Sequence, residues 1–214
     1  QFMGFLYSAL DQIINHLARM RNRTRGNLHC PAVLRMPYGG GVRAPEHHSE
    51  STEALLAHIP GLTVVIPSSP SQAYHLMIDA IQSPDPVIFL EPKRIYRSYT
   101  EVFEPKLNQR YLNRSQIISK GNDLTIVAWG AMLRDTIVAN QRLKTLGISA
   151  EIIDQVCLNP LDLSTVINSV KKTNRCLIVH EANENYGAAA EIGFQMFQQC
   201  FDILEAPVER LCAS

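Results

Sequence analysis

Residues 62–92, LTVVIPSSPSQAYHLMIDAIQSPDPVIFLEP, contain a strand, a helix and a second strand in immediate succession. The apolar run LTVVIPS at 62–68 is typical of a strand that is buried in a sheet. Ser69 as N-cap, with Gln72 at the third helical position, forms a capping box and predicts that a helix follows. VIFLEP at 87–92 is the next strand. Two strands joined through a helix predict parallel pairing.

The same alternation of strands and helices resumes nearer the C-terminus. Residues 93–122 are polar, carry charges of both signs and show neither the strand nor the helix spacing of apolar residues. We therefore interpret them as a connection between two units. The alternation predicts parallel sheets covered on both faces by helices, and hence an α/β fold of two units. The second unit begins at residue 123, and its successive elements are DLTIVAWG, AMLRDTIVANQRLKTLG, SAEIIDQ, LSTVINSVKKT, CLIVHEA, GAAAEIGFQMFQQCF and PVERLC.

The first residues of the chain have the apolar period of a helix. Apolar side chains recur at steps of three and four residues from Phe2 to Leu17, which predicts one amphipathic helix. The basic segment RMRNRTRG suits the end of that helix, and Gly26 can terminate it. PAVLRM then predicts a short strand. The chain begins at Gln1 inside this helix and stops soon after a strand, so we expect a fragment of a larger fold.

Charge and cysteine content exclude several classes of protein. Twenty basic residues balance twenty acidic ones, which argues against a nucleic-acid-binding protein or a membrane-surface protein. No apolar run approaches the roughly 20 residues that cross a bilayer. No secretion signal is present, and no cysteine pair has metal-ligand spacing, so we expect a reducing compartment, either the cytoplasm or an organelle. The five cysteines are Cys30, Cys157, Cys176, Cys200 and Cys212.

The segment PYGGGVRAPEHHSESTEALLAH at 37–58 contains the strongest candidate for chemistry. It runs from the end of a predicted strand to the start of a helix, where open α/β sheets bind ligands. His47 and His48 lie in that loop, and imidazole titrates near neutrality, so either histidine suits proton transfer. A solvated surface pair is the alternative. Dinucleotide-binding, P-loop, nucleophile-elbow and H-E-x-x-H motifs are absent from the sequence.

At this segment the sequence resembles the beta subunit of the thiamine-diphosphate-dependent 2-oxo acid dehydrogenases, which decarboxylate pyruvate or branched-chain 2-oxo acids. The matching phrases run through the chain in the family's order. They are ALDQIINHLARMRNR, CPAVLRMPYGGGVR, HHSESTEALLAHIPGLTVVIPSSP, DPVIFLEPKRIYR, VHEANENYGAAAEIG and APVERL.

The resemblance implies a fold and a set of partners. It implies that residues 1–92 are the C-terminal part of a transketolase-type pyrimidine-binding domain and that residues 93–122 are a linker. Residues 123–214 would be a transketolase C-terminal domain truncated at its end. The family's active unit is an alpha2beta2 heterotetramer. It binds thiamine diphosphate between an alpha and a beta chain, with magnesium held mainly by alpha, and it transfers the acyl group to lipoyl groups of a dihydrolipoyl acyltransferase core.

The resemblance also implies the site residues. His48 matches the family's histidine in H-S-Q-S, here HSES, which faces the cofactor and handles protons during lipoyl acylation. Gln1 and Phe5 match positions beside the aminopyrimidine ring, where an aromatic face packs against the ring. Glu50 replaces a glutamine, and contact between its carboxylate and His48 would favour the imidazolium. The family's catalytic glutamate lies upstream of Gln1, so this chain alone is expected to be inactive.

Relatives in this family bind a structural potassium ion, largely through backbone carbonyl oxygens. Such ligands suit a hard cation, although they leave little trace in a sequence. An ordinary helix end is the alternative interpretation of the segment AIQSPD. The matching positions are Ala32, Ala80, Ile81, Ser83 and Asp85.

Other functions fit parts of the sequence. A transketolase-like enzyme would need clustered basic residues for a sugar phosphate, and Arg35, Arg43 and Arg94 are few and scattered. An acetoin dehydrogenase beta subunit is a close alternative, and the sequence does not specify which 2-oxo acid is used. The second unit can instead act mainly as a docking module, with acidic contacts to a basic binding domain. Those contacts would come from Glu181, Glu184 and Glu191.

Overall fold

Two β-sheets, each with mostly parallel strands, form the centre of the molecule. This computed structural model describes residues 1–105 and 110–213. Within those residues the first sheet has the strand order β1-β3-β2-β7, and the second has the order β4-β6-β5-β8-β9. The strands are β1 Val33–Tyr38, β2 Thr63–Val65, β3 Val87–Pro92, β4 Gln116–Ser119, β5 Leu124–Ala128, β6 Ala150–Asp154, β7 Cys157–Asn159, β8 Cys176–Asn183 and β9 Glu209–Ala213.

The first sheet contains the strand pair predicted from residues 62–92. Strand β3 lies in the middle and pairs in parallel with both β1 and β2, Val87 standing opposite Val33 on one side and Thr63 on the other. The predicted α/β class with parallel sheets is therefore confirmed. Strand β7 adds an antiparallel edge to β2, and it comes from the second half of the chain. Three residues are too short a run to show a strand period, so β7 escaped the sequence analysis.

The second sheet has four parallel strands and one antiparallel edge strand. Strands β6, β5, β8 and β9 run in parallel, and β4 closes the edge antiparallel to β6. Strand β4 lies inside the stretch 93–122, which the sequence analysis assigned to a connection. Its four residues are half-buried or exposed, as is common for an edge strand, so they lack the apolar run of the central strands.

Helices cover the sheets, and side chains cap two of them at their N-termini. Ser69 Oγ accepts a hydrogen bond from the Gln72 backbone N–H at 3.2 Å, and Asp162 caps its helix at Thr165. The Gln72 side chain does not complete the expected box with Ser69. Its Oε1 accepts from the Ser68 N–H at 2.6 Å. The α-helices are α1 Met20–Arg23, α2 Glu53–Ala57, α3 Pro70–Gln82, α4 Ala131–Thr145, α5 Leu163–Thr173 and α6 Ala188–Cys200.

The N-terminal segment forms three short helices in succession, whereas the sequence analysis expected one amphipathic helix. A 3₁₀ helix at Met3–Ala9 is followed by a π-helix at Gln12–Leu17 and then by α1. Met3 and Ile13 are buried in the main core. The apolar period predicted the buried face only in part, because Ile13 is buried whereas Phe5 is 43% exposed. The turn type depends on what the segment packs against. Further 3₁₀ turns are Lys93–Ile95 and Phe201–Ile203.

The two units share a buried polar junction within a continuous apolar core. Asp154, at the end of β6, is fully buried and accepts hydrogen bonds from Ser68 Oγ at 3.0 Å and from Gln72 Nε2 at 2.8 Å. Ser68 Oγ in turn accepts from the Gly130 N–H at 2.8 Å. Burial raises the pKa of Asp154 to about 7 although both hydrogen bonds oppose the rise. Ser68 therefore connects the first unit to two strand ends of the second.

We expect Ser68→Ala to lower the free energy of unfolding by about 2 kcal/mol. The change deprives Asp154 of one donor and leaves the buried Gly130 N–H without its acceptor. Urea unfolding at pH 7 measures the loss. The exposed Ser8→Ala is the control and should change the value by less than about 0.5 kcal/mol. Equal stabilities for the two variants would show that the junction contributes little.

Candidate functional site

The loop at 39–50 joins β1 to α2 at the carboxyl end of the first sheet, which is the ligand-binding edge of parallel sheets. Gly39 and Gly41 have φ values of 85° and 96°, which glycine adopts without steric cost. Positive φ is uncommon in other residue types and collects at functional sites, so the loop is an active-site candidate on geometry alone. The non-glycine residues of the loop with positive φ are Arg43, Glu46 and His47.

Contacts on both sides of this loop fix its position. The Gly39 N–H donates to the Glu50 carbonyl at 2.8 Å and closes the loop on itself. The Gly40 N–H donates to a carboxylate oxygen of Glu181 at 2.9 Å, so the second unit also holds the loop. On the other side the loop lies directly on Gly4. A Cβ there would stand 2.9 Å from the Glu50 Cγ and nearer still to the His47 backbone.

His48 is half-buried at the surface end of this loop and is surrounded by rings. Its centroid lies 4.8 Å from that of Phe2 and 5.4 Å from that of Phe5, the second contact being edge-on. Its Nδ1 lies 3.2 Å from the Glu46 carbonyl oxygen. A carbonyl can only accept, which favours the tautomer with hydrogen on Nδ1 and leaves Nε2 for a proton exchanged with another molecule.

The structure brings some of the predicted site residues together. Phe5 is 43% exposed and contacts both histidines of the loop, its ring centroid lying 5.3 Å from that of His47. Gln1 is exposed next to Phe2. The Glu50 carboxylate accepts a 3.4 Å hydrogen bond from the Tyr7 hydroxyl, and the described hydrogen bonds do not pair it with His48.

Lys93 is a site residue that the sequence analysis missed. Its ammonium group donates a hydrogen bond to the His48 carbonyl oxygen and lies 4.1 Å from the centroid of the Phe2 ring. The position has a simple cause, since Lys93 directly follows β3, and the carboxyl ends of β3 and β1 meet at one edge of the sheet. Polar residues directly after a buried strand are the signal that points to this lysine.

A group of buried polar side chains lies behind the loop at the contact between the units. Glu53 is fully buried, and Trp129 Nε1 donates to one of its oxygens at 3.4 Å. Burial raises the pKa of Glu53 to about 8, so its carboxyl group is largely neutral at pH 7. Burial lowers the pKa of His180 to about 4, with Arg210 adding to the shift. The buried polar atoms without a hydrogen-bond partner among the described residues include Tyr38 OH, Glu53 Oε2 and His180 Nδ1.

The five residues matched to a potassium site lie at neighbouring strand and helix ends. The Ala32 carbonyl accepts from the Val87 N–H at 2.9 Å, and the Ala80 carbonyl accepts from the Ser83 N–H at 3.2 Å. The Asp85 carbonyl accepts from Ser83 Oγ at 2.9 Å. Each of these oxygens keeps a second lone pair, and a carbonyl oxygen is the type of ligand that a hard cation prefers. Ile81 follows directly at the end of α3.

Two cavities of the chain lie away from His48. One, of about 680 Å³, is lined by aromatic residues of α6 and by residues 204–208. The other, of about 610 Å³, lies between α1 and residues 60–63. Neither includes a residue of the loop at 39–50. Beside His48, Phe5 is 43% exposed and Phe2 is half-buried. The described residues hold no cluster of three potential metal-ligating side chains, and none of their helices is long and apolar enough to span a membrane.

Two family models match the chain in succession. "Transketolase, pyrimidine binding domain" matches residues 1–98, and "Transketolase, C-terminal domain" matches residues 113–214. A solved structure described as "Split gene transketolase, inactive beta4 tetramer" has a TM-score of 0.77 and 21% identity, covering 99% of this chain and 64% of its own. That likeness supports the fold.

Curated relatives are more similar in sequence. The pyruvate dehydrogenase E1 component subunit beta of Acholeplasma laidlawii is 45% identical over 96% of this chain and 63% of its own length. The subunit of that name from Bacillus subtilis is 41% identical over 100% and 66%. The mitochondrial 2-oxoisovalerate dehydrogenase subunit beta of Dictyostelium discoideum is 42% identical over 99% and 58%. The chain thus spans somewhat less than two thirds of the length of these relatives.

Glu53 gives the site a distinct dependence on pH. Its pKa is raised from 4.5 to about 8, so the folded chain keeps a proton that the unfolded chain releases, and stability falls as the pH rises between these values. Relative to the wild type, Glu53→Gln should gain about 1.4 kcal/mol in free energy of unfolding per pH unit over this range. Urea unfolding at several pH values tests this, with the exposed Glu209→Gln as control. A stability difference that stays constant from pH 5 to 8 would contradict it.

Proposed function

The chain belongs to the transketolase family, as a pyrimidine-binding domain followed by a transketolase C-terminal domain, and on that premise we propose that it acts as the beta subunit of a 2-oxo acid dehydrogenase. Its reaction would be oxidative decarboxylation of pyruvate or a branched-chain 2-oxo acid, with transfer of the acyl group to a lipoyl group. The observation that carries this proposal is the arrangement of His48 with Phe2 and Phe5 on an open surface.

The residues around His48 fit one side of a thiamine diphosphate site. The exposed Phe5 offers a ring edge and face to an aminopyrimidine, with Gln1 nearby as a polar contact. When bound, thiamine diphosphate supplies the electron sink that decarboxylation of a 2-oxo acid requires. His48 would hold a proton on Nε2 and deliver it to the lipoyl sulfur, because Nδ1 is engaged with Glu46.

A second chain would complete this site. We assign the diphosphate and magnesium mainly to an alpha subunit, in an alpha2beta2 heterotetramer bound to a dihydrolipoyl acyltransferase core. The open surface around His48 supports such a half-site. The carbonyl set of Ala32, Ala80 and Asp85, with Ile81 and Ser83, would hold potassium. Cytoplasm or mitochondrial matrix remains the proposed location, and residues 93–122 the proposed connection between the domains.

The arginine contacts give little support to a sugar-phosphate enzyme. Arg35 pairs with Glu91 at 2.6 Å, and Arg94 forms two hydrogen bonds with Asp135 at 2.7 and 3.1 Å. Guanidinium groups engaged in this way are not gathered into a phosphate site. Glu181 is also a poor acidic contact for a docking partner, because its carboxylate accepts a hydrogen bond from the Gly40 N–H within the molecule.

Assembly with an alpha subunit is the first test. The full-length protein co-expressed with its alpha partner should co-purify with it and reduce a dye in the presence of thiamine diphosphate, magnesium and a 2-oxo acid. Pyruvate, 2-oxoisovalerate and acetoin, tested in parallel, identify the substrate. A beta chain that binds thiamine diphosphate tightly without a partner would contradict the half-site.

His48→Ala should separate the two stages of the reaction. In the assembled enzyme, dye-linked decarboxylation should stay within a few-fold of wild type, because cofactor binding does not need the imidazole. Transfer to a lipoyl domain should fall by at least about 100-fold, the usual size of a lost acid–base catalyst. His58→Ala, an exposed histidine ten residues along the chain, is the matched control. Full acyl transfer by the His48 variant would remove His48 from this role.

A further inference from the structure

Lys93 connects three parts of the site that are distant in sequence. It lies in the 3₁₀ turn Lys93–Ile95 after β3, its ammonium group reaches Phe2 in the N-terminal segment, and it donates to the backbone of His48. Its neighbour Arg94 packs along Gly41, so the same short turn supports both ends of the loop at 39–50.

The lysine contacts the histidine through the main chain and through a ring. The first route is the hydrogen bond to the His48 carbonyl oxygen, which fixes the backbone that carries the imidazole. The second route passes through Phe2, because the cation lies over the Phe2 ring and that ring lies against the imidazole at 4.8 Å. Lys93 thus constrains the direction of the imidazole in two ways, through the hydrogen bond to the His48 carbonyl oxygen and through the Phe2 ring.

The loop needs such a restraint because its backbone is not held by regular structure. Arg43, Glu46 and His47 occupy the left-handed region, which is unfavourable for residues with a Cβ. A conformation of this kind persists only when surrounding contacts determine it. Glu181 holds Gly40 at the strand end of the loop, and the hydrogen bond between Gly39 and Glu50 closes the two ends of the loop on each other. Among the described residues, Lys93 is the one whose side chain donates from another element to the backbone at the histidine end of the loop.

We propose that Lys93 is the positioning residue for His48, acting through the His48 carbonyl and the Phe2 ring to hold the imidazole in the direction that acyl transfer requires. The inference rests on the proposed function for its effect on catalysis and on the structure alone for its effect on the ring. Lys93 is partly exposed, and its described contacts are with the His48 carbonyl oxygen and the Phe2 ring, not with the imidazole. Its contribution is therefore geometric, since small displacements of a positioned group cost large factors in rate.

The ring position can be measured without any enzymatic activity. In the chain labelled at histidine Cε1, seven histidines give resolvable signals, and His48→Gln assigns the one from His48. Lys93→Met should move that signal, because the shielding by the Phe2 and Phe5 rings changes, and should leave the His58 signal in place. Lys93→Arg keeps a cation and a donor and should restore most of the shift. Arg97→Met, which removes an exposed cation four residues away, is the matched control.

The catalytic effect is measured in the assembled alpha–beta enzyme. Lys93→Met should lower kcat for lipoyl acylation by about tenfold or more while dye-linked decarboxylation stays within about twofold, and Lys93→Arg should recover most of the loss. Equal losses in both assays, or no recovery with arginine, would overturn the positioning role. An unchanged His48 signal in Lys93→Met would overturn it as well.

The two proposals fail in different ways. If His48→Ala keeps full acyl transfer, the role of His48 is wrong, whatever Lys93 does to the ring. If His48→Ala abolishes transfer while Lys93→Met changes neither the signal nor the ratio of the two activities, the role of Lys93 is wrong and the proposed function stands. Thermal unfolding of each variant verifies that the fold persists, and a variant that unfolds is replaced by Lys93→Gln.

Discussion

The constraint that sets the contact between the two sheets is the burial of two carboxyl groups that no ion pair among the described residues neutralises. Asp154 is bound by a hydroxyl and an amide, and Glu53 by an indole N–H. A buried carboxylate with such partners is costly, and its pKa rises until the neutral form is the stable one. The junction is therefore most stable when Asp154 and Glu53 carry their protons. Residues of one unit must reach into the other for this to occur, which fixes how the two sheets meet.

The site inherits its geometry from that junction. Glu181 belongs to β8, the strand next to β5, and it holds the loop of the first unit at Gly40. Glu53 begins α2 directly after the same loop, with its side chain against Trp129 of the second unit. Contacts with the second unit thus fix the position of the chain at both ends of the loop. A shift between the units would move the histidine loop, although no residue of the second unit touches the imidazole among the described ring contacts.

Much of the fold follows from local sequence pattern, because the spacing of apolar residues predicts the longer strands and helices. The parallel arrangement and the cap at Ser69 were predictable on that basis. Strand β7 and the irregular N-terminal helices were not, since short segments take their structure from what they pack against. Glu53 lies in the first turn of α2, where a negative charge is favourable, but its burial is set by residues far along the chain such as Trp129. Lys93 reaches His48 across 45 positions, and no local pattern reports such a contact.

An open surface beside a strained loop is informative about assembly. The loop backbone is held in an unfavourable conformation by contacts from three directions, yet the rings it presents are left accessible. Exposed aromatic rings gain nothing from solvent, and their burial is favourable by about 25 cal/mol for each Å² removed from water. A site that required only this chain would close over its ligand, as pockets for small molecules commonly do. The rigid but open surface supports the half-site that we propose, in which one chain supplies fixed chemical groups and another encloses the ligand.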